Sequence, residues 1–390
     1  MGETLAQHEI RLFDRSFSAF KVWGYTGLLL AILLTMALVT RLGLSRWLMA
    51  VLIASAVLTF LTLALMTKII SGRENLVFYY HAIVITILAV ILLKLLGRPV
   101  CPYLDVMILG VGLFHACGRV GCLLVGCCHG RPSRWGICYR EEHAAAGFPF
   151  YLVNVRLFPL QAVESFWVLG LVVVGSVLAL HNRHPGEALA WYVIGYGIGR
   201  FYFEFKRGDA ERHYLLGFSE AQWTSLLLIC VSALAGLLNV LPLQRWQLDI
   251  IGIWLLVVIV LALRRPLGRT AKDKLLHPQH LKEIAQTLER ISETASEIAI
   301  TPKPDDIQSA VHVGCTSLGI RISAGWIKSA AGNIYHYALS SQSSAMTEVS
   351  ARMLAELILQ LRHPRGSNQL IQGHQGVFHL LVYPSIAVCN

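Results

Sequence analysis

Six ionisable side chains lie within stretches of the sequence that are otherwise apolar. A charged group at the middle of a bilayer costs from about 2.5 kcal/mol upward, so each of these groups needs a partner or a polar cavity. We therefore take them as the first candidates for chemistry. They are His81, His115, Arg119, Glu164, Arg200 and Glu204.

Arg200 and Glu204 are four residues apart, so in a helix both project from one face. Arg207 continues that face roughly one turn further on. One interpretation is a neutralised pair that only lets the helix lie in lipid. Gly197 and Gly199 beside the arginine leave room for a second helix or a ligand, which favours a binding role.

Arg119 stands in the glycine-rich segment Gly118–Gly121, near the predicted end of a helix. Glycine permits close approach of the backbone, and a guanidinium offers paired donors that match phosphate oxygens. Two arginines beside Glu204 also leave an excess of buried positive charge, which predicts that Arg119 and Arg200 jointly bind the phosphate of an anionic lipid. The alternative is a buried arginine that is satisfied by backbone carbonyls.

Cysteines and histidines follow in the same region and form a candidate metal site. They are His115, Cys122, Cys127, Cys128, His129 and Cys138. Their spacing matches no standard zinc knuckle, because Cys127 and Cys128 are adjacent and no C-x-x-C pair occurs. A free cysteine packs as a small hydrophobic side chain, so we expect packing thiols and no metal ion.

The composition shows which elements must position these residues. Of the 390 residues, 55% are hydrophobic and 14% are charged, whereas about 25% of the residues in an ordinary soluble domain are charged. A water-soluble fold is therefore excluded for most of the chain. The net charge of +10 does not indicate nucleic-acid binding, because lysine and arginine lie at the ends of apolar runs and in two loops.

The apolar runs predict an all-α polytopic bundle of about seven or eight transmembrane helices, since a bilayer core needs about 20 apolar residues. The last run is short and could instead be a tilted or interfacial helix. The first run has no A-x-A cleavage site before it, so we expect it to stay in the membrane. The predicted spans are 22–40, 47–67, 76–96, 104–128, 160–181, 187–205, 222–242 and 249–263.

Hydrophobicity falls after Leu267, which divides the chain into a membrane domain, 1–267, and a soluble C-terminal domain, 268–390. Apolar residues spaced three and four apart from Leu281 to Ile298 predict an amphipathic helix. This spacing also fits a short coiled coil, although packing on its own domain is the simpler expectation. The remainder predicts a small α/β or α+β module, with strands near 319–328, 333–340 and 377–382 and a helix at 346–362.

Three motifs occur in order along the chain. They are G-R-V-G at Gly118–Gly121, P-L-Q-A-V-E at Pro159–Glu164, and Y-G-I-G-R-F-Y-F-E-F-K-R at Tyr196–Arg207. Together they resemble the prolipoprotein diacylglyceryl transferase family, with its P-x-Q-x-x-E and Y-G-x-x-R-F-x-x-E-F-x-R patterns. Each motif alone is weak, but the ordered set is specific. The resemblance covers approximately residues 20–242.

The chain departs from the family's pattern at several positions. His81 matches the family's histidine, but the glycines that follow it in the family are absent here. Cys122 stands where the family has asparagine, and the family's histidine before Pro159 is replaced. The segments beyond residue 242 have no counterpart in the common core of the family. These departures leave open a paralogue with another acceptor.

The resemblance implies transfer of a diacylglyceryl group from phosphatidylglycerol to the thiol of a prolipoprotein lipobox cysteine, with release of glycerol phosphate. It implies a multi-pass protein of the bacterial inner membrane that needs no cofactor or metal. A histidine base would activate the thiol, and arginines would stabilise the charge that develops on the phosphate. The implied catalytic residues are His81, Arg119, Arg200 and Glu204. The implied substrate-binding residues are Tyr80, Gln161, Glu164, Arg207 and Gln222.

Two other functions fit the sequence. The altered glycines favour a non-enzymatic membrane protein that binds an anionic lipid and relays that state through its C-terminal domain. A thiol or metal redox protein would instead use the cysteines. For sidedness, lysine and arginine counts place the N-terminus, the loops 68–75 and 129–158, and the C-terminal domain in the cytoplasm. The resemblance places the loop 129–158 outside, and we favour the resemblance.

Overall fold

The computed structural model of the chain shows a bundle of apolar helices followed by a small α+β domain. The structure describes residues 7–12, 15–72, 78–181, 184–209, 214–238, 240–264, 275, 277–293, 313–329, 332–343, 345–362 and 367–383.

Long apolar helices form the membrane part, and they follow the predicted spans closely. They are α1 (Ala19–Arg41), α2 (Arg46–Ser71), α3 (Phe78–Leu95), α4 (Val100–Val125), α6 (Leu160–His181), α7 (Glu187–Phe203), α8 (Glu220–Leu237) and α9 (Arg245–Arg264), with a short α5 (Glu141–Ala145) in the loop after α4. Of these eight long helices, the described residues of six are long and apolar enough to cross a membrane, the exceptions being α3 and α7. The predicted all-α polytopic bundle is confirmed.

The last helix of the bundle is longer than the short span predicted there. It begins at Arg245, four residues before the predicted run 249–263, and has 20 residues. At about 1.5 Å per residue this gives about 30 Å, the thickness of a bilayer core. By length and composition α9 can therefore cross the membrane.

The outer surface of the bundle is suited to lipid, and its centre is packed closely around α4. Leu58 and Ile69 on α2 are 67% and 68% exposed, positions that suit a hydrocarbon surrounding. On α4, a Cβ at Gly112 would lie 2.5 Å from the ring of Tyr192 on α7. Only glycine fits there, which lets the two helices approach closely.

A buried carboxylate fixes the start of α7. The N-cap of that helix is Gly186, which has a positive φ of 106° and no capping side chain of its own. Asp105 on α4 supplies the cap: its oxygens accept the N–H of Gly186 at 2.6 Å and of Leu189 at 2.7 Å. The helix start is thereby satisfied inside the bundle.

Several segments meet at one end of the bundle. The N-terminal hairpin β1 (Glu9–Leu12) and β2 (Arg15–Ser18) lies near the loop after α4, since His8 is 4.0 Å from Glu142. The turn after α7 bridges to the same loop, through Gly130 and Arg207. These contacts place the N-terminal hairpin, the loop after α4 and the turn after α7 together at one end of the bundle. Two short antiparallel pairs lie in the loops of the membrane part, β3 (Pro132–Cys138) with β4 (Arg156–Leu157) and β5 (Tyr214–Leu215) with β6 (Phe218–Ser219).

The C-terminal domain is an antiparallel sheet covered on one face by two helices. Its described elements are α10 (Pro278–Glu293), β7 (Val313–Cys315), β8 (Ile320–Ser329), β9 (Gly332–Ser341), α11 (Glu348–Arg362), β10 (Ser367–Gln372) and β11 (Phe378–Tyr383), and the strands lie in the order β10-β11-β9-β8-β7. The predicted small α+β module is therefore present. The boundary predicted at 267/268 lies outside the described residues.

Helix α10 packs within its own domain, as expected, and not as a coiled coil. Leu281, Ile284, Leu288 and Ile291 are buried in the same core as the sheet, and each contributes about 1.5–3 kcal/mol. The core continues into the loop after α4 through five buried residues: Tyr139, Phe148, Leu152, Val155 and Leu157. The domain is thus docked on that loop.

Candidate active site

Three polar residues from two helices meet inside the bundle. His115 and Arg119 are one turn apart on α4, and Arg119 Nε donates to His115 Nε2 at 3.0 Å. Glu164, in the second turn of α6, is 3.0 Å from Arg119 Nη2 and 3.5 Å from His115. Its exposure is 0%. A carboxylate at this depth is stable because it is paired.

Two further ion pairs lie at the end of α7. Arg200 Nη1 is 3.0 Å from Glu204 Oε2, and both side chains are buried. Three residues on, Arg207 donates to Asp209 Oδ2 from Nε at 3.1 Å and also from Nη2. Burial alone would lower the pKa of Arg207. Electrostatic attraction to Cys128 and Asp209 is stronger and holds the pKa of Arg207 above its usual value.

We name these residues the arginine cluster: Arg119, Arg200 and Arg207, with Glu164, Glu204, Asp209 and His115. Arg200 interacts electrostatically with Glu164 as well as with Glu204. The three arginines therefore face three carboxylates. The prediction of excess positive charge counted Glu204 as the only carboxylate and was wrong, because Glu164 pairs with Arg119.

Several polar atoms of the cluster are buried without a hydrogen bond, and one guanidinium nitrogen among them also has no ion pair among the described residues. Arg207 Nη1 is buried and has no hydrogen-bond partner among the residues that the structure describes. A buried charged donor without an acceptor costs several kcal/mol in principle. An anionic ligand, such as a phosphate oxygen, would supply the missing acceptor.

The cluster lies near the end of the bundle where the loops meet. Arg119 is six residues before the end of α4 at Val125, which is about 9 Å along the helix axis. Glu204 follows the last residue of α7.

Two loops are joined next to the cluster. Arg131 Nε donates to the carbonyl of Arg207 at 3.1 Å, and the Gly208 N–H donates to the carbonyl of His129 at 2.9 Å. A Cβ on Gly208 would lie 2.3 Å from the carbonyl oxygen of Gly130. Only glycine permits this approach, so the backbone fixes the position of Arg207.

The two predicted glutamines of the site make contacts with the backbone. Gln161 Nε2 donates to the carbonyl of Cys127 at 2.7 Å. Gln222 forms a capping box with Ser219 at the start of α8, and its Nε2 donates to the carbonyl of Phe201 at 3.1 Å. These contacts hold loops and helix ends in place, and the substrate-binding role of both residues stays a prediction.

The predicted base lies beside the arginine cluster and not within it. His81 is buried on α3, where its ring is 5.0 Å from that of Phe60, which in turn is 5.9 Å from Phe114 on α4. The neighbouring Tyr80 is 46% exposed. The structure therefore brings together Arg119, Glu164, Arg200, Glu204 and Arg207 and places Tyr80 and His81 on an adjoining helix.

Three of the cysteines also converge. The sulfur atoms of Cys122, Cys127 and Cys128 all lie within 4.8 Å of one another, and we name them the cysteine cluster. Cys138 is not part of this group. The sequence spacing gave no sign of this convergence, because it depends on how the chain reverses after α4.

Sequence reasoning missed some partners in the site. His115 was recognised as an intramembrane histidine but was not assigned a role, although its spacing of four from Arg119 is the same as that of Arg200 and Glu204. Asp209 was overlooked because it lies beyond the apolar run. Its position two residues after Arg207 was the available signal.

Comparison with known proteins identifies the fold that carries this site. The family model of prolipoprotein diacylglyceryl transferase matches residues 15–238. A phosphatidylglycerol–prolipoprotein diacylglyceryl transferase of Clostridium tetani is 32% identical over 128 residues, which are 33% of this chain and 49% of that protein.

Two further relatives carry the same description. The second such transferase of Clostridium perfringens is 33% identical over 32% of this chain and 47% of its own length. The enzyme of Dehalococcoides mccartyi is 33% identical over 33% of this chain and 48% of its own length. The chain thus spans about half the length of the relatives it matches, whereas the family model covers the bundle from α1 to α8. By that match, the chain belongs to the prolipoprotein diacylglyceryl transferase family.

Proposed function

We propose that the chain transfers a diacylglyceryl group from phosphatidylglycerol to a cysteine thiol of a prolipoprotein in the bacterial inner membrane. The observation that carries the proposal is the arginine cluster, in which three buried guanidinium groups lie close together near the ends of α4 and α7. The names of the matched relatives support the same reaction.

The arginine cluster is suited to an anionic phosphate. Each guanidinium is oriented by a carboxylate, and the buried Arg207 Nη1 still needs an acceptor. In the proposed complex the phosphate accepts from Arg119, Arg200 and Arg207, with Glu164 and Glu204 orienting the first two. The acyl chains of the lipid stay in the bilayer and approach between helices.

The reaction is a displacement at carbon. The thiol loses its proton to a base, the sulfur attacks the glyceryl carbon, and the bond from that carbon to the phosphate oxygen breaks. The electron pair leaves with glycerol phosphate, where the arginines stabilise the added charge. In an in-line displacement the nucleophile and the leaving group are on opposite sides of the carbon. A base such as His81, on a helix beside the cluster, is compatible with that geometry.

The test is the transfer of radiolabelled diacylglyceryl from phosphatidylglycerol to a lipobox peptide by the purified full-length protein. We expect transfer by the wild type and by Arg46→Lys, a control at the exposed start of α2, at the other end of the bundle. Loss is expected for Arg200→Lys. Absence of transfer by well-folded wild-type protein would refute the proposal.

A second function is favoured by a specific contact. The C-terminal domain shares a core with the loop after α4, so a change in that loop on lipid binding would reach the domain directly. A non-enzymatic lipid sensor would bind phosphatidylglycerol in preference to a zwitterionic lipid and would transfer nothing. The transfer assay, run beside a binding assay on the same protein, separates the two functions.

A further inference from the structure

The cysteine cluster has a geometry that neither the transfer reaction nor packing requires. Its three sulfur atoms lie within 4.8 Å of one another, and none of the three is in a disulfide. In the reaction above, the thiol comes from the acceptor protein, and the cluster has no part in it. Cys122 stands where the resembled family pattern has asparagine, so one member is a departure from that pattern.

The backbone is arranged to bring the sulfurs together. Helix α4 ends after Cys122, and Gly126 adopts a left-handed conformation with φ 82°. Cys128 also has a positive φ, of 57°. This conformation is uncommon for a residue with a side chain and costs on the order of 1 kcal/mol. The reversal points the side chain of Cys128 back toward Cys122.

Neighbouring residues hold this loop in place. Gln161 on α6 donates to the carbonyl of Cys127 at 2.7 Å, and the hydroxyl of Tyr139 donates to the carbonyl of Leu123 at 2.9 Å. Supporting contacts of this kind orient the ligands of metal sites. The cysteine cluster is therefore supported by two elements outside its own segment.

Packing alone does not account for the cluster. Cys122 is buried, but Cys128 is half-buried and Cys127 is exposed. A thiol that fills space in a core is buried, as Cys117 is, five residues earlier in α4. The exposure instead increases from Cys122 to Cys128 to Cys127, as in a metal site that is closed on one side and open to solvent on the other. A metal ion could enter from the open side, and a water molecule there could complete its coordination.

The charges around the cluster fit an anionic metal centre. Three thiolates with one divalent cation carry a net charge of −1, and zinc is a divalent cation that binds thiolate sulfur well. Arg119 and Arg207 are close enough for their charges to act on Cys128. Both arginines are also paired with carboxylates, so they do not repel a cation as unpaired charges would.

We propose that Cys122, Cys127 and Cys128 bind one zinc ion, with a fourth position open on the side of Cys127. A zinc–sulfur bond of about 2.3 Å places tetrahedral ligands about 3.8 Å apart. The observed upper limit of 4.8 Å therefore needs a contraction of about 1 Å at most. A side-chain rotation can supply it.

The test is metal analysis of the full-length protein, purified under reducing conditions and loaded with Zn²⁺. We expect one zinc per chain in the wild type and in Cys117→Ser, a matched control on the same helix. In Cys122→Ser, Cys127→Ser and Cys128→Ser, the affinity for zinc should fall more than about 100-fold, since loss of even a supporting contact costs about 10–100-fold. Co²⁺ in place of zinc should show thiolate-to-cobalt charge transfer in the wild type and in Cys117→Ser, and this signal should be lost or strongly weakened in the three cluster variants.

Several results would overturn the zinc site. They are wild-type protein that binds no zinc with its thiols reduced, a disulfide within the cluster in place of metal, or zinc retained in all three variants. Cys127→Ser keeps the test decisive if a change at the buried Cys122 unfolds the protein. The readout does not use transfer activity, so zinc in a protein without transfer would refute only the proposed function.

Discussion

Replacing Arg119 with lysine keeps a positive charge in the arginine cluster and removes its geometry. Arg119 contacts two partners from two different nitrogens, His115 from Nε at 3.0 Å and Glu164 from Nη2 at 3.0 Å. Lysine has one nitrogen on an unbranched stem and cannot reproduce both contacts. The substitution therefore tests whether the site needs the two-nitrogen geometry of the guanidinium or only its positive charge.

The expected loss follows from the contacts. A hydrogen bond to a charged group contributes about 1.5–3 kcal/mol, so loss of one contact to the buried Glu164 weakens the protein by about that amount. Removing one donor to a developing oxyanion costs about 10²–10³ in rate. We expect Arg119→Lys to insert into the membrane and to lower the transfer rate by about 100-fold or more.

Transfer from phosphatidylglycerol to a lipobox peptide is measured for Arg119→Lys, Arg200→Lys and the control Arg46→Lys. Binding of phosphatidylglycerol is measured against a zwitterionic lipid, because a phosphate site formed by arginines should prefer the anionic one. Transfer within about threefold of wild type for both cluster variants, or equal binding of the two lipids, would show that these arginines are only structural. A threefold change in rate corresponds to less than about 1 kcal/mol.

Glu204→Gln should lower transfer less than Arg200→Lys, because Glu204 orients the arginine and does not contact the phosphate; a larger loss in the same assay would contradict this. His81→Gln should abolish transfer by correctly inserted protein, and wild-type turnover would remove His81 as the base. Burial lowers the pKa of His280 from its usual 6.5. The unfolded chain therefore binds the proton more readily, and the C-terminal domain should lose stability as the pH falls below about 6.5. Hydrogen exchange of α10 in full-length protein should show this, and His280→Gln should weaken the pH dependence; an unchanged dependence would refute that assignment.

The helices of the membrane part could be predicted from hydrophobicity because lipid requires continuous apolar segments. The span predicted at 160–181 is α6, Leu160–His181. Strand β10 could not be predicted in this way, since its sequence Ser367–Gln372 is mostly polar. It lies at the edge of the sheet and pairs only with β11. Pairing of this kind depends on the partner strand and leaves no periodic signal.

The candidate site was predictable where it follows helix spacing. Arg200 and Glu204 pair as their separation of four implies. The pairing of Arg119 with Glu164 joins residues 45 positions apart and depends on how α4 packs against α6. Likewise, the convergence of the cysteines depends on left-handed backbone at Gly126 and Cys128. Sequence spacing predicts contacts only within a continuous helix or a known motif, so it gave no indication that the three cysteines converge.

The neutrality of the arginine cluster bears on turnover. A site with unpaired buried arginines would be costly when empty and would bind glycerol phosphate, the anionic product, as strongly as the lipid. Here each arginine is paired with its own carboxylate, so the charges of the empty site are balanced. A bound phosphate then adds hydrogen bonds mainly from the nitrogens that have no partner, such as Arg207 Nη1. Binding of the ground state is then modest. In the proposed reaction, charge develops on the leaving oxygen only in the transition state, and interactions that strengthen only at that point raise the rate.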